Sequence, residues 1–386
     1  MTKLELPIAT DTITALDNLT FIIAPYYEPR LGQSVRVIAI IHISMKELYC
    51  IFHCFTNQKV SVRAEITFHR DNFGFPYGTA ELICVEPSGC DYTYISFSSI
   101  NSTNTNQNLL FIVRNHQPQP ITSNFTICIS TLYGNYNNVL QLVQSVEMYK
   151  ILGASTVTIY NTSCSPDVDK VLRHYIDEGT LDVVQWPIDR YLQTSKKWKY
   201  TPGLTAEIGY FGQLTTLNDC LYRNMYKSKF ILLNDIDEII LPVTDWDWPS
   251  MMENLQKQFP DISVFRFEAH VFFTSDSSNM NIWSHVPGFS ILHHTLRKPI
   301  NRQMHNPQKL IVNPRNVFQT SVHYITKFTG KSTDVSHDVA IIVHYKDRWR
   351  RDNTSKDFIH DDILQKYNMS LVSSVNTVIQ KLFPLR

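Results

Sequence analysis

From residue 34 to residue 114 apolar and polar positions alternate with period two. Val62, Ala64, Ile66 and Phe68 interleave with Ser61, Arg63, Glu65, Thr67 and His69, and comparable runs stand at 34–43, 48–55, 79–86, 91–97 and 108–113. Such alternation suits strands with one face on a core and the other in water. Turn-forming clusters separate the runs, among them Asp71-Asn72-Phe73-Gly74, Pro87-Ser88-Gly89 and the stretch from Asn101 to Asn108. Six short strands with no helix between them predict a small antiparallel β-domain over residues 1–120, ending in the linker Asn115-His116-Gln117-Pro118-Gln119-Pro120.

Beyond the linker the rhythm becomes strand, helix, strand, helix. Thr126 to Ser130 is a short apolar strand; Val139, Leu142, Val143, Val146 and Tyr149 then recur at helical spacing as far as Gly153, a plausible C-cap. Thr156 to Tyr160 is the next strand, and Pro166 opens a helix whose stripe Val168, Val171, Leu172, Tyr175 and Ile176 stops at Gly179. Leu181 to Trp186 is a third strand. After a polar loop to Gly209, a helix marked by Leu214, Leu217, Leu221 and Met225 leads into Phe230-Ile231-Leu232-Leu233-Asn234-Asp235-Ile236-Asp237-Glu238. The layout predicts an α/β domain over residues 121–350. Ile262 to Phe273 and Val339 to Tyr345 read as later strands, Met251 to Gln258 as a helix, and 351–386 as a peripheral helical tail.

The apolar run ending at Asn234 is followed by three acids within four positions, which delivers carboxylates to the rim of a sheet. In extended geometry Asp235 and Asp237 lie on one side of the backbone and could share one hard cation. Such an ion, held by one or two carboxylates, keeps positions open for the diphosphate of a sugar nucleotide. His344, closing the run Val339 to Val343, is placed to be a third ligand, and Lys346, with Arg348, Arg350 and Arg351, could hold phosphates. The competing readings are plain: an acidic helix cap, a packed histidine, a solvated basic face.

Composition narrows the classes. The 386 residues are 43% hydrophobic, enough for about two domains with real cores. Lys and Arg number 35 against 35 Asp and Glu, so no global field favours nucleic acid or an anionic membrane. No run of about twenty apolar residues occurs, and the chain reads as soluble. Six Asn-x-Ser/Thr sequons, at Asn18, Asn101, Asn124, Asn161, Asn353 and Asn368, point toward a secretory history. Four of the seven cysteines fall at 50, 54, 84 and 90. Cys50 and Cys54 share one strand about 13 Å apart, too far to bond each other. Bridges to Cys84 and Cys90 on a neighbouring strand, or free buried thiols, remain open.

Taken together, Cys128 to Gly134, Ser145 to Ala154, Gly212-Gln213 with Leu217 to Cys220, Asn234 to Glu238, Lys309 to Pro314 with His323, and His344-Tyr345 resemble glycosyltransferase family 92 over about residues 120–350. The resemblance implies a GT-A type nucleotide-diphospho-sugar transferase fold with a mixed sheet flanked by helices. It further implies a manganese-type divalent ion, and transfer of galactose from UDP-galactose to a glycan acceptor with inversion, as a β-linkage. Carried over by position, Asp235, Asp237 and His344 are the metal ligands. Glu268, Glu238 and Asp352 are candidates for the base that activates the acceptor hydroxyl. Gln213, Asn218, Asp219 and Lys346 are candidates for the nucleotide or donor sugar. A secretory, Golgi setting with an N-terminal membrane anchor is also implied, although this chain has no such segment. Two rivals stand beside this reading. An aspartyl-phosphate phosphatase requires its acids on the first strand. A catalytically inactive, secreted carbohydrate-binding or adhesion protein would suit the β-domain and the sequons.

Overall fold

The structure is a computed structural model that describes residues 6–103, 109–117, 120–274, 282–299, 306–346 and 358–385. The chain divides into two compact units, one comprising 1–120 with 184–226 and the other 121–183 with 227–386.

The first unit is built on two antiparallel sheets. Five strands lie in the order Thr14–Ala15, Thr20–Glu28, Ser34–His42, Tyr77–Val85 and Glu65–Phe68, and four in the order Lys59–Arg63, Tyr49–Cys54, Tyr92–Ser98 and Phe111–Ile112. Their inward residues share a core that includes Ile22, Val37, Ala39, Phe52, Leu82, Ile95 and Phe97. The alternating run 61–69 is two strands, because the chain passes at Ala64 from one sheet to the other. The strand Thr20–Glu28 precedes the region read from periodicity; Pro25 stands inside it and its register shifts between Ile22 and Ala24. Disulfides Cys50–Cys84 and Cys54–Cys90 realise the bridged reading of the four clustered cysteines. Residues 184–226, read as part of the α/β domain, fall in this unit. The Leu217 and Leu221 side of helix Gln213–Asn224 is buried, and the helix is tied to the five-stranded sheet by Tyr26 Oη donating to Asp219 Oδ1 at 2.6 Å and by Thr79 and Thr215 hydroxyls 2.8 Å apart.

The second unit holds a mixed sheet. Ser123–Leu132 pairs in parallel with Thr156–Asn161 on one side and Ser228–Asn234 on the other. Gln308–Val312 then runs antiparallel between Ser228–Asn234 and Ile262–Thr274. The long strand Ile262–Thr274 continues alongside Ala340–Lys346, which pairs antiparallel with Glu238–Pro242. Helices Val139–Ile151 and Pro166–Glu178 form as their stripes predict, and Ser165 Oγ accepts from Val168 N to cap the second. The C-terminal helix is not peripheral. Over Asn368–Leu382 the residues Leu371, Val375, Val378, Ile379 and Leu382 follow an i, i+4, i+7, i+8, i+11 stripe that joins the main core.

Gly153 has φ +97°, and a Cβ there would meet Pro249 Cδ at 2.8 Å. The close approach seats helix Trp248–Gln258 against the turn that follows helix Val139–Ile151. Both the left-handed backbone and the clash penalise a side chain. Gly153→Ala is expected to lower unfolding free energy by about 2 kcal/mol, measured by urea denaturation; an unchanged midpoint would contradict this packing.

Candidate active site

Strand Ser228–Asn234 is buried at every position except Lys229, so its last polar residue, Asn234, marks where backbone leaves the sheet. The expected extended Asp235-Ile236-Asp237 is instead a tight turn. Glu238 N donates to Asp235 O at 3.1 Å, and the next strand, Glu238–Pro242, starts at once. The change follows from sheet pairing, since Glu238 is in register with His344 on Ala340–Lys346 and Tyr345 N donates to Asp237 O at 2.9 Å. No helix follows, so these acids are not a helix cap. The turn stands at the carboxyl ends of the parallel strands, beside Ser130 on Ser123–Leu132, whose hydroxyl lies 3.5 Å from Asp235 Oδ1.

Helix Val139–Ile151 grips the turn from below. Ser145 and Tyr149, one helical turn apart on one face, donate to Ile236 O and Glu238 O, each at 3.0 Å. Asn234 Nδ2 donates to Tyr149 Oη at 3.1 Å and also to Glu238 O. These bonds satisfy buried carbonyls that a turn would otherwise leave without partners.

Around the turn the charges interlock. Lys309, 2% exposed, sets its Nζ 2.6 Å from Asp235 Oδ2 and 3.1 Å from Glu238 Oε2. His344 presents Nδ1 to Glu238 Oε1 and Nε2 to Asp237 Oδ2, each at 3.2 Å. Lys346 stands at the rim, 47% exposed, 3.9 Å from Asp237 Oδ2. Burial works against the Lys309 charge, yet Asp235 and Glu238 outweigh it and hold its pKa above the ordinary lysine value. Burial pushes the Glu238 carboxyl up, with Lys309 as the largest offset. Burial also opposes the Asp237 charge, but the His344 hydrogen bond and the charges of His344, Lys346 and Lys309 hold that carboxyl below its usual range.

Both nitrogens of His344 therefore face carboxylates. A neutral imidazole has one N–H, so one of the two contacts sets a lone pair against an anion unless a proton or another cation lies there. With Nδ1–H given to Glu238, the Nε2 lone pair is turned toward Asp237, the orientation a metal-binding histidine takes when a carboxylate supports its other nitrogen. With a neutral ring, three carboxylates and the ammonium groups of Lys309 and Lys346 leave a net charge of about −1. Among the described residues, no group of three or more His, Cys, Asp or Glu side chains stands ready to hold a metal. At the turn, Asp237 and His344 pair oxygen and imidazole donors suited to a hard or borderline divalent ion.

The other expected residues are placed differently. Pairing sets Phe267 opposite Lys309 and Val271 opposite His344, so strand alternation puts Glu268, between them, on the other face of the sheet, where Asn306 Nδ2 donates to it. Glu268 is thus not beside the turn, and Glu238 is a buried support for His344 and Lys309 rather than an accessible base. Asp352 and the basic residues Arg348, Arg350 and Arg351 lie outside the described residues. Asn218 and Asp219 are fully buried in the first unit, Asp219 bonded to Tyr26 and to Arg223 at 2.9 Å, which makes them packing groups of their helix. Gln213 opens that helix after Tyr210, Phe211 and Gly212, whose φ values of 42°, 53° and 72° form a left-handed turn locked by Trp186 Nε1 donating to Phe211 O at 2.8 Å.

A family model, that of glycosyltransferase family 92, matches residues 123–381. The chain belongs to glycosyltransferase family 92. It is a glycosyltransferase, and the match runs through the C-terminal helix, in keeping with that helix's place in the core. Three relatives are similar to it. A protein named beta-1,4-galactosyltransferase galt-1 of Caenorhabditis elegans is 23% identical over 349 residues, 86% of this chain and 75% of that protein. The Caenorhabditis elegans glycosyltransferase family 92 protein F13G3.3 is 26% identical over 61% of this chain and 44% of its own length. Galactan beta-1,4-galactosyltransferase GALS1 of Arabidopsis thaliana is 24% identical over 58% of this chain and 42% of its own length. The chain thus spans under half of the latter two. No described helix is long and apolar enough to cross a membrane.

Four residues around this turn, Lys309, Ser145, Tyr149 and Asn234, entered the sequence reading only as members of the family-like motifs or a helical stripe, with no role at the turn. The available signal was the pair Ser145 and Tyr149 at i, i+4 on one helix face, and a lysine entering an apolar strand. Removing the Lys309 charge leaves buried Glu238 without its ammonium partner, so Lys309→Met is expected to cost about 3 kcal/mol. Adding Glu238→Gln removes the orphaned charge and should recover most of that loss, as read from a double-mutant cycle in urea. Strictly additive effects would contradict the buried pair.

Proposed function

We propose that this family 92 member is a metal-dependent galactosyltransferase with a GT-A type domain, which transfers galactose from UDP-galactose to a glycan acceptor with inversion, giving a β-linkage. The observation that carries the metal reading is the Asp237–His344 pair on the acidic turn, supported through Glu238 and exposed enough to meet a ligand: Asp237 is 33% and His344 17% exposed. Asp237 and His344 would hold the divalent ion, manganese or one of similar chemistry, leaving positions open for the donor's phosphates. The ion supplies Lewis-acid stabilisation of the leaving diphosphate. Lys346 lies at the rim, where its flexible ammonium meets the same phosphates as a point charge.

The galactosyl specificity rests on the relatives, two of which bear names of β-1,4-galactosyltransferases. A secretory, Golgi setting fits the family and the two disulfides of the first unit, which persist in oxidising compartments.

Calorimetric titration of UDP into the protein is expected to show binding that requires Mn2+, is abolished by chelation, and weakens at least about tenfold in Asp237→Ala, the scale of one lost metal ligand or supporting group. Equal binding without metal would contradict the reading. A panel of UDP-sugars with Mn2+ should show hydrolysis or transfer with UDP-galactose above the other donors. Folded protein that turns over none of them would favour a catalytically inactive carbohydrate-binding protein.

A further inference from the structure

Resting on the metal-dependent reading, we propose that Lys309 is a built-in cation that withholds Asp235 from the metal, so that the divalent ion binds through Asp237 and His344 and depends on the donor diphosphate for most of its affinity.

The placement of Lys309 is what gives it this role. Its strand is clasped between Ser228–Asn234 and Ile262–Thr274, with Leu310 in register with Leu233, so its backbone is fixed beside the strand that delivers the acidic turn. The side chain is 2% exposed and its ammonium spans Asp235 Oδ2 and Glu238 Oε2. Swinging it away would strand Glu238, itself 2% exposed, without its counter-charge. The ammonium is therefore a permanent occupant of the pocket that the first acid of the turn faces. A metal approaching from solvent meets Asp237 and His344 on the open side and Asp235 already neutralised.

Charge counting gives the consequence. Without Lys309, Asp235, Asp237 and Glu238 would sum to −3 around one turn, with the rim ammonium of Lys346 as an offset, and the ammonium that neutralises Asp235 would be gone. With Lys309 the available protein ligands fall to one carboxylate and one imidazole. Sites of that kind keep several waters and fill out through substrate phosphates. Lys309 thus acts as a positioning residue: it touches neither metal nor donor, yet it sets which carboxylate meets the metal and makes metal and donor bind together.

Electron paramagnetic resonance of free Mn2+ reads this directly, with and without UDP, in wild type, Glu238→Gln, and Lys309→Met/Glu238→Gln. The double variant avoids an unpaired buried Glu238, and circular dichroism confirms its fold. In wild type and Glu238→Gln, UDP should raise Mn2+ affinity strongly. The double variant, with Asp235 released, should bind Mn2+ without nucleotide at least about tenfold more tightly than Glu238→Gln, and its gain from UDP should shrink accordingly. Nucleotide-free affinity equal to or below that of Glu238→Gln, in folded protein, would overturn the role of Lys309 while leaving the metal reading intact. Failure of wild type to bind Mn2+ even with UDP would instead overturn the metal reading itself, and this inference with it.

Discussion

An ammonium group sealed between two carboxylates is the interaction on which the site depends. A turn that places Asp235, Asp237 and Glu238 within four residues carries strong self-repulsion, and Glu238 is taken almost wholly out of water. Lys309 offsets both costs at once, by lying 2.6 Å from Asp235 and 3.1 Å from Glu238. Such a buried pair adds little net stability compared with apolar packing, but losing one member is expensive. Its significance is therefore positional. It fixes where the negative charge of the turn remains available, on Asp237, and it leaves Glu238 free to orient His344.

The scaffold around this pair is matched to it. The central strand brings the turn to the edge of the sheet, Ser145 and Tyr149 hold its carbonyls from the helix beneath, and the late strand Ala340–Lys346 closes the turn by pairing with Glu238–Pro242. Three elements distant in sequence converge on this one turn. A metal and a diphosphate would then engage a surface whose hydrogen bonds are already made, which is the arrangement that costs least reorganisation during reaction.

Much of this was legible in the sequence where the signal is local. Most period-two runs of the β-rich unit, the stripes of helices Val139–Ile151 and Pro166–Glu178, and the helix boundaries at Pro166 and Gly179 are decided within a few residues, and they form as read, apart from the run 61–69. His344 was legible as the end of a buried strand. What was lost required knowledge of partners. Asp235-Ile236-Asp237 looks like the continuation of a strand until its pairing with Ala340–Lys346 is known, and that pairing makes it a turn. Lys309 looks like one polar position in an apolar strand, because nothing nearby in sequence shows that two acids await it. Glu268 had a local clue, since Phe265, Phe267 and Ala269 alternate with it; which face carries the site is set only by the register with Lys309 and His344. The C-terminal helix carried its apolar stripe openly, but part of the core that receives it, helix Val139–Ile151 above all, lies more than two hundred positions away.

The central claim is that a donor-bearing metal sits on Asp237 and His344 while Lys309 keeps Asp235. A crystal structure with Mn2+ and UDP, measured at the manganese absorption edge, tests it most directly. The account expects one anomalous peak bonded to Asp237, His344 and the diphosphate, with the Lys309 ammonium still on Asp235. UDP bound with no peak at the turn, or a peak held by Asp235 with Lys309 displaced, would contradict it.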